Sequence, residues 1–346
     1  MYAGIKVAEQ MKYLYGPVAS RRLGLSLGVD IVPFKVCTLN CVYCQLGETT
    51  EMTTERKEYV PIKEVLAELR EVISRDLQAD FITIGGSGEP TLNSRLGELI
   101  DGIRKITKIP VAILTNGTLL YRRDVRADCA KADVVLPSLD AGDKRAFEEV
   151  NCPHKDILIE NLISGLCLFR KEFAGQIWLE VFLIEGLNTD ADQIAKIKEA
   201  IERIQPDKIQ LNTAVRPTTR AGINKVDPQK LQEIAQQLGE KCEVVADFSS
   251  ARYSERMSGD TQDVVDPAVV SGMSPVGNLS QAGDPKKMET LLSMLKRRPC
   301  SLEDIHSAMG IGRIEALKYI THYQQQSIID TFEKDGTIFF KAIRGK

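Results

Sequence analysis

The stretch CTLNCVYC, residues 37–44, places Cys37, Cys41 and Cys44 within eight residues, spaced C-x3-C-x2-C. Thiolates grouped this way suit a metal centre. Zinc in a structural site takes four ligands, usually as two pairs. The next cysteine is Cys129, and the histidines are His154, His306 and His322, so a zinc reading needs a distant fourth ligand. A cubane iron–sulfur cluster has four irons, each open to one thiolate. Three cysteines leave one iron with a vacant position, which is what a catalytic metal needs to hold a substrate directly. The other five cysteines, Cys129, Cys152, Cys167, Cys242 and Cys300, stand alone in the sequence and read as small buried hydrophobes.

The elements that must position these thiols follow from periodicity. VDIVPF, residues 29–34, reads as a short strand leading into the cysteine loop. Thereafter β-rich runs at 81–85, 111–115, 133–140, 177–184 and 207–212 alternate with stretches of helical spacing at 61–77, 94–106, 122–131, 155–172, 191–204 and 228–239. Residues 242–246 read as one further strand. Six strands alternating with helices imply parallel βαβ units, with chemistry at the C-terminal ends of the strands. The alternation covers residues 1–250. Residues 251–285 are rich in Ser, Gly, Asp and Pro and read as a linker or an extended segment. Residues 286–346 read as three helices and a hairpin turning at Lys334-Asp335-Gly336, which has the pattern of a winged helix.

Composition sets outer bounds. The chain has 346 residues, 43% hydrophobic and 27% charged, an ordinary globular balance for about two domains. No run approaches the ~18 apolar residues of a membrane span, and the N-terminus lacks the pattern of a signal peptide. A cytoplasmic protein is expected. The net charge of −3 argues against a nucleic-acid binder as a whole. Residues 286–346 carry 11 Lys and Arg against 7 Asp and Glu, a weak basic bias.

Cys37-x3-Cys41-x2-Cys44, with Tyr43 before the last cysteine, resembles the signature of the radical S-adenosylmethionine superfamily. That resemblance implies an α/β fold, a partial (βα)6 barrel of TIM type, and a [4Fe-4S] cluster held by Cys37, Cys41 and Cys44. It further implies that the amino and carboxylate groups of S-adenosylmethionine chelate the fourth iron. Reductive cleavage of the cofactor then gives a 5′-deoxyadenosyl radical that abstracts a hydrogen atom. By the same resemblance Tyr43 matches the aromatic position beside the adenine. The GGSGEP loop, with Gly85, Gly86, Ser87, Gly88 and Glu89, matches the loop that binds the methionine amino group. Its glycines permit a close backbone approach and Glu89 can engage a cation.

Asn116 ends the third strand, and Ser138 and Asp140 follow the fourth. The resemblance makes Ser138 and Asp140 candidates for the ribose and methionine parts of the cofactor, while Asp140 reads equally as an N-cap of the next helix. On 177–184 the period of two puts Trp178, Glu180, Phe182 and Ile184 on one face. Asn212 is a candidate contact for adenine or substrate, and Arg216 for a carboxylate or phosphate. The segment GPVASRRLGLSLGVD is similar to the start of a branch of the superfamily related to tRNA wyosine synthases, with Ser20, Arg21 and Arg22 at the expected site mouth. Those synthases hold a second cluster in grouped cysteines that this chain lacks.

The implied partners are an electron donor such as flavodoxin or ferredoxin and a substrate that is RNA, tRNA among them, protein or a small metabolite. An exposed radical-forming cluster implies oxygen sensitivity. A reading of another class makes the cluster a redox sensor and residues 286–346 a DNA-binding module. A regulator, however, has no use for the glycine loop, Tyr43 or a βα barrel, and the helix expected to read DNA offers only Arg313 and Lys318 as certain cations.

Overall fold

The computed structural model describes residues 11–246 apart from 21, 76, 216, 217 and 219, and residues 284–343 apart from 335 and 336. Arg21, Arg216, the Asp335-Gly336 turn and the expected linker up to residue 283 lie outside the described residues. The described residues form two compact units, 11–246 and 284–343.

The first unit begins with a hairpin, β1 (Leu14–Ser20) and β2 (Gly24–Val29), and a two-residue pair around the cysteine loop, β3 (Val36–Cys37) with β4 (Glu51–Met52). Helix and strand then alternate. α1 (Ile62–Ile73), β5 (Phe81–Ile84), α2 (Leu96–Ile106), β6 (Val111–Thr115), α3 (Arg123–Cys129) and β7 (Val134–Pro137) come first. α4 (Lys144–Asn151), α5 (Ile159–Glu172), β8 (Gln176–Leu183), α6 (Ala191–Ile204), β9 (Lys208–Thr213), α7 (Pro228–Leu238) and β10 (Cys242–Val244) complete the unit. The sheet runs β1-β2-β5-β6-β7-β8-β9-β10, parallel from β2 onward. It is an incomplete (βα)6 barrel with a short seventh parallel strand, and no pairing between described residues joins β1 to β10.

The first parallel strand is Gly24–Val29 rather than 29–34. Leu27 and Val29 are fully buried in the main core, whereas Ile31 and Val32 bury their side chains from a coil. An apolar run that packs looks like a strand whether or not its backbone pairs. The helix at 144–151 was not expected. Asp143 caps it by accepting from Ala146 N, as Asp190 and Asp227 cap α6 and α7. Asp140 is therefore not an N-cap.

The strands bury opposite faces against different partners. Leu27, Ile82, Ile113, Val135, Leu179 and Leu211 join the helices in the main core. On the inner face Leu23, Ala112, Val134, Leu136 and Trp178 cluster, with Phe81 and Leu114 packed on them. Phe81 and Val134 start their strands, so the β1–β2 turn plugs the N-terminal end of the barrel with Leu23. Arg22 leaves that same turn and pairs with Glu180 at 2.9 Å. It rises from the floor of the barrel instead of lining the mouth.

The second unit contains α8 (Pro285–Arg297), β11 (Cys300–Ser301), α9 (Leu302–Met309), α10 (Arg313–Gln325), β12 (Ile329–Lys334) and β13 (Thr337–Ala342), with sheet order β11-β13-β12. Ser301 closes a capping box with Asp304 on α9. Arg313, one of the two cations expected to meet DNA, is held in a fork by Glu303 at 2.9 and 3.0 Å. Among the described residues no helix is long and apolar enough to cross a membrane.

Candidate metal centre

The cysteine loop sits between two neighbours that fix its path by backbone bonds. On one side the glycine loop contributes Ser87 O, which accepts from Lys35 N, and Glu89 N, which donates to Val36 O. On the other, residues 150–154 pair with residues 38–42: Val42 N donates to Val150 O, Asn40 N to Asn151 O, and His154 N to Thr38 O. Gly88 makes the first approach possible, because a Cβ there would lie 2.1 Å from Val36 O.

Each cysteine sulfur receives an N–H donor from outside the motif. Asn116 Nδ2 reaches Cys37 Sγ at 3.5 Å, Asn151 Nδ2 reaches Cys41 Sγ at 3.4 Å, and Lys35 Nζ reaches Cys44 Sγ at 3.1 Å. Burial pushes the Cys37 thiol up to about 11, with the Glu89 carboxylate adding to it. Burial and then Asp140 push the Cys41 thiol well up, while the Asn151 amide acts the other way. Such thiols keep their protons until a metal displaces them. Among the described residues no three His, Cys, Asp or Glu side chains converge on a single-ion site. The donor set instead fits an iron–sulfur cluster, whose sulfurs take hydrogen bonds.

The glycine loop is braced from below. Glu89 is buried, and its carboxylate accepts from Thr91 N, Thr91 Oγ1, Thr115 Oγ1 and Asn116 N. Burial raises its pKa and these donors hold it down. The carboxylate ties the loop after β5 to the end of β6. Tyr15 OH donates to Gly85 O at 2.8 Å, Ser87 Oγ donates to Asp30, and Gly86 stays exposed at the apex.

Asp140 links the far wall to the cysteine loop. It accepts from Tyr43 OH at 2.5 Å, Asn151 Nδ2 at 2.7 Å and Phe182 N at 2.9 Å. Burial pushes this carboxyl up to about 6 despite the three donors. Ser138 continues β7 through a bridge to Glu180 and is half-buried. Asn212 lies deeper, donating to Glu180 Oε1 at 2.9 Å. Of the expected site residues, Asn116, Tyr43, Asp140 and the glycine loop gather around the cysteine loop, whereas Asn212 belongs to the Arg22–Glu180 group in the barrel interior. Of the lone cysteines, Cys129 and Cys300 are buried and the rest are half-buried.

Two residues at the centre escaped the sequence reading. Lys35 is 3% exposed and adopts a left-handed backbone with φ of 58°, a conformation for which a lysine gives no signal. Asn151 ends a helix whose existence was missed. Its Oδ1 is buried without a hydrogen-bond partner among the described residues, an orphaned acceptor beside Cys41 that a donor from a bound cofactor would satisfy.

Residues 31–197 match the model of the Radical SAM superfamily. A UPF0026 protein from Helicobacter pylori is 30% identical over 325 residues, covering 92% of this chain and 95% of that one. The chain belongs to the UPF0026 family of radical SAM proteins. A protein named GTPase Obg from Brachyspira hyodysenteriae is 38% identical over 260 residues, which are 75% of this chain, and this chain spans only 38% of its length. Among solved structures, a radical SAM methyltransferase from Sphaerobacter thermophilus aligns with 66% of this chain and 68% of its own, at 15% identity and a TM-score of 0.49. As a radical SAM enzyme, this family member has a [4Fe-4S] cluster and S-adenosylmethionine as its cofactors.

Proposed function

We propose that Cys37, Cys41 and Cys44 hold the cluster, and that S-adenosylmethionine lies over the strand ends between the glycine loop and the Tyr43–Asp140–Asn151 group. The observation that carries this is the set of three half-buried cysteines, each with an N–H donor from outside the motif, beside the orphaned acceptor Asn151 Oδ1. Held by Cys37, Cys41 and Cys44, a cluster would supply the electron for reductive cleavage of S-adenosylmethionine, the source of a radical that could abstract a hydrogen atom from a substrate.

The chain's own residues prepare that event. The GGSGEP backbone offers carbonyls to the methionine ammonium, with Glu89 locking its shape from beneath. Asn151 holds Cys41 and Asp140 in fixed relation and gives its free oxygen to an ammonium or a ribose hydroxyl. Tyr43 and Phe182 shield the cofactor from water with an apolar wall. The partners this reading calls for are an electron donor of flavodoxin or ferredoxin type and a substrate that is an RNA base, a protein residue or a small metabolite.

The test is anaerobic. The protein is reconstituted with iron and sulfide, then given dithionite and S-adenosylmethionine, and 5′-deoxyadenosine is read by mass spectrometry. The expected result is product from the wild type and none from Cys41→Ala. Absence of product from a wild type carrying four reduced irons, with candidate substrates present, would sink the proposal.

A further inference from the structure

Lys35 presents a problem of charge. Its side chain is buried at 3% exposure, and among the described residues no carboxylate lies in ion-pair range. The hydrogen bond of its ammonium runs to Cys44 Sγ at 3.1 Å. A buried ammonium without a counter-charge is costly, and such groups persist where something anionic is close. The backbone adds a second cost, since φ of 58° is a left-handed conformation that a β-carbon disfavours. Lys35 N donates to Ser87 O, and Lys35 O accepts from Thr50 N and Glu51 N, so the strained conformation is held on both sides. The chain thus goes to some length to keep this ammonium at this sulfur.

We propose that Lys35 is a positioning residue that sets the reduction potential of the cluster through a charge-assisted hydrogen bond to Cys44. The inference rests on the assignment of Cys44 as an iron ligand. A thiolate-ligated cluster gains a negative charge when it is reduced, and a nearby fixed cation favours that state. Asn116 and Asn151 make the corresponding bonds to Cys37 and Cys41 with neutral amides. Charge-assisted bonds are roughly twice as strong as neutral ones, so Lys35 dominates the trio. Its place on Cys44 makes the field around the cluster asymmetric.

The experiment is a redox titration of the reconstituted protein, followed by the spectrum of the reduced cluster, with iron content and S-adenosylmethionine affinity measured on the same samples. Lys35→Met keeps the length of the stem and removes the charge. At a fixed potential near the wild-type midpoint, its ratio of reduced to oxidised cluster is expected to fall about tenfold, a shift of ~59 mV to more negative potential for one electron. Lys35→Arg is expected to restore most of the shift. A fully loaded Lys35→Met with an unchanged midpoint overturns the proposal. So does an unchanged midpoint with weakened S-adenosylmethionine binding, which would assign the ammonium to the cofactor's carboxylate. If Lys35→Met fails to load iron, Lys35→Gln is read in its place, and loss of loading in both makes Lys35 structural and ends the proposal. The assignment of Cys44 fails separately, by Cys44→Ala keeping four irons.

Discussion

The Tyr43 ring lies flat on Phe182, with centroids 3.9 Å apart and planes inclined by 9°. The Tyr43 hydroxyl donates to Asp140, and Asp140 in turn accepts from Phe182 N. One ring face and the hydroxyl are therefore committed within the protein, and an adenine can meet only the remaining face or edge of Tyr43. The relationship couples the last turn of the cysteine loop to β8, an element more than a hundred residues away in sequence.

Removing the stacked partner tests that coupling. Phe182 is 5% exposed and packs with Val42, Val150 and Ile184. Phe182→Ala is expected to destabilise the protein by about 3 kcal/mol, read from denaturant midpoints at constant slope, and to weaken S-adenosylmethionine binding. Unchanged affinity in a folded variant would mean that the ring of Tyr43 does not orient the cofactor.

Asp140 gives a pH dependence whose sign can be worked out. Its folded pKa is pushed up to about 6 by burial, above the ~3.9 of an unfolded aspartate. Between those values the folded state binds more protons than the unfolded one, so this group's contribution to stability falls as pH rises. Asp140→Asn cannot ionise and lacks the slope. Urea denaturation of cluster-free protein at about pH 4 and about pH 6.5 is expected to show the wild type losing on the order of 2–3 kcal/mol relative to the variant. Parallel behaviour of the two proteins would contradict the burial argument.

Gly88 tests the contact between the glycine and cysteine loops. A methyl group there meets the Val36 carbonyl at 2.1 Å, with Val32 at 3.0 Å, and backbone cannot step aside as a side chain can. Gly88→Ala is expected to lower iron loading severalfold while circular dichroism of the barrel is retained. Full loading would show that the two loops move independently.

Cys129 serves as the contrast to the ligand cysteines. It is fully buried in the main core, and burial pushes its thiol far up, with Glu89 and Asp128 adding to the effect. Cys129→Ala is expected to keep four irons per chain and to cost about 1 kcal/mol in stability, the loss expected for one small buried group. Reduced iron content in a folded variant would reopen the question of a fourth protein ligand.

The amino-acid sequence by itself determined the spacing of the three clustered cysteines, the βα alternation and the order of the loops. These are local properties: ligand spacing within eight residues, and a periodicity set by how each element buries one face. It did not reveal where β2 begins, because Ile31 and Val32 bury apolar side chains from a coil just as a strand would. Nor did it reveal that Arg22 enters the barrel from the floor, since a polar turn reads alike at either end. The tertiary structure alone decided which polar groups meet. Lys35 reaches a sulfur through a left-handed backbone, Asn151 joins Cys41 to Asp140 from a helix 110 positions along the chain, and Glu89 turns inward because four donors from two segments surround it. Hydrogen bonds between distant segments depend on distance and burial, and neither is written in the type or spacing of the residues that make them.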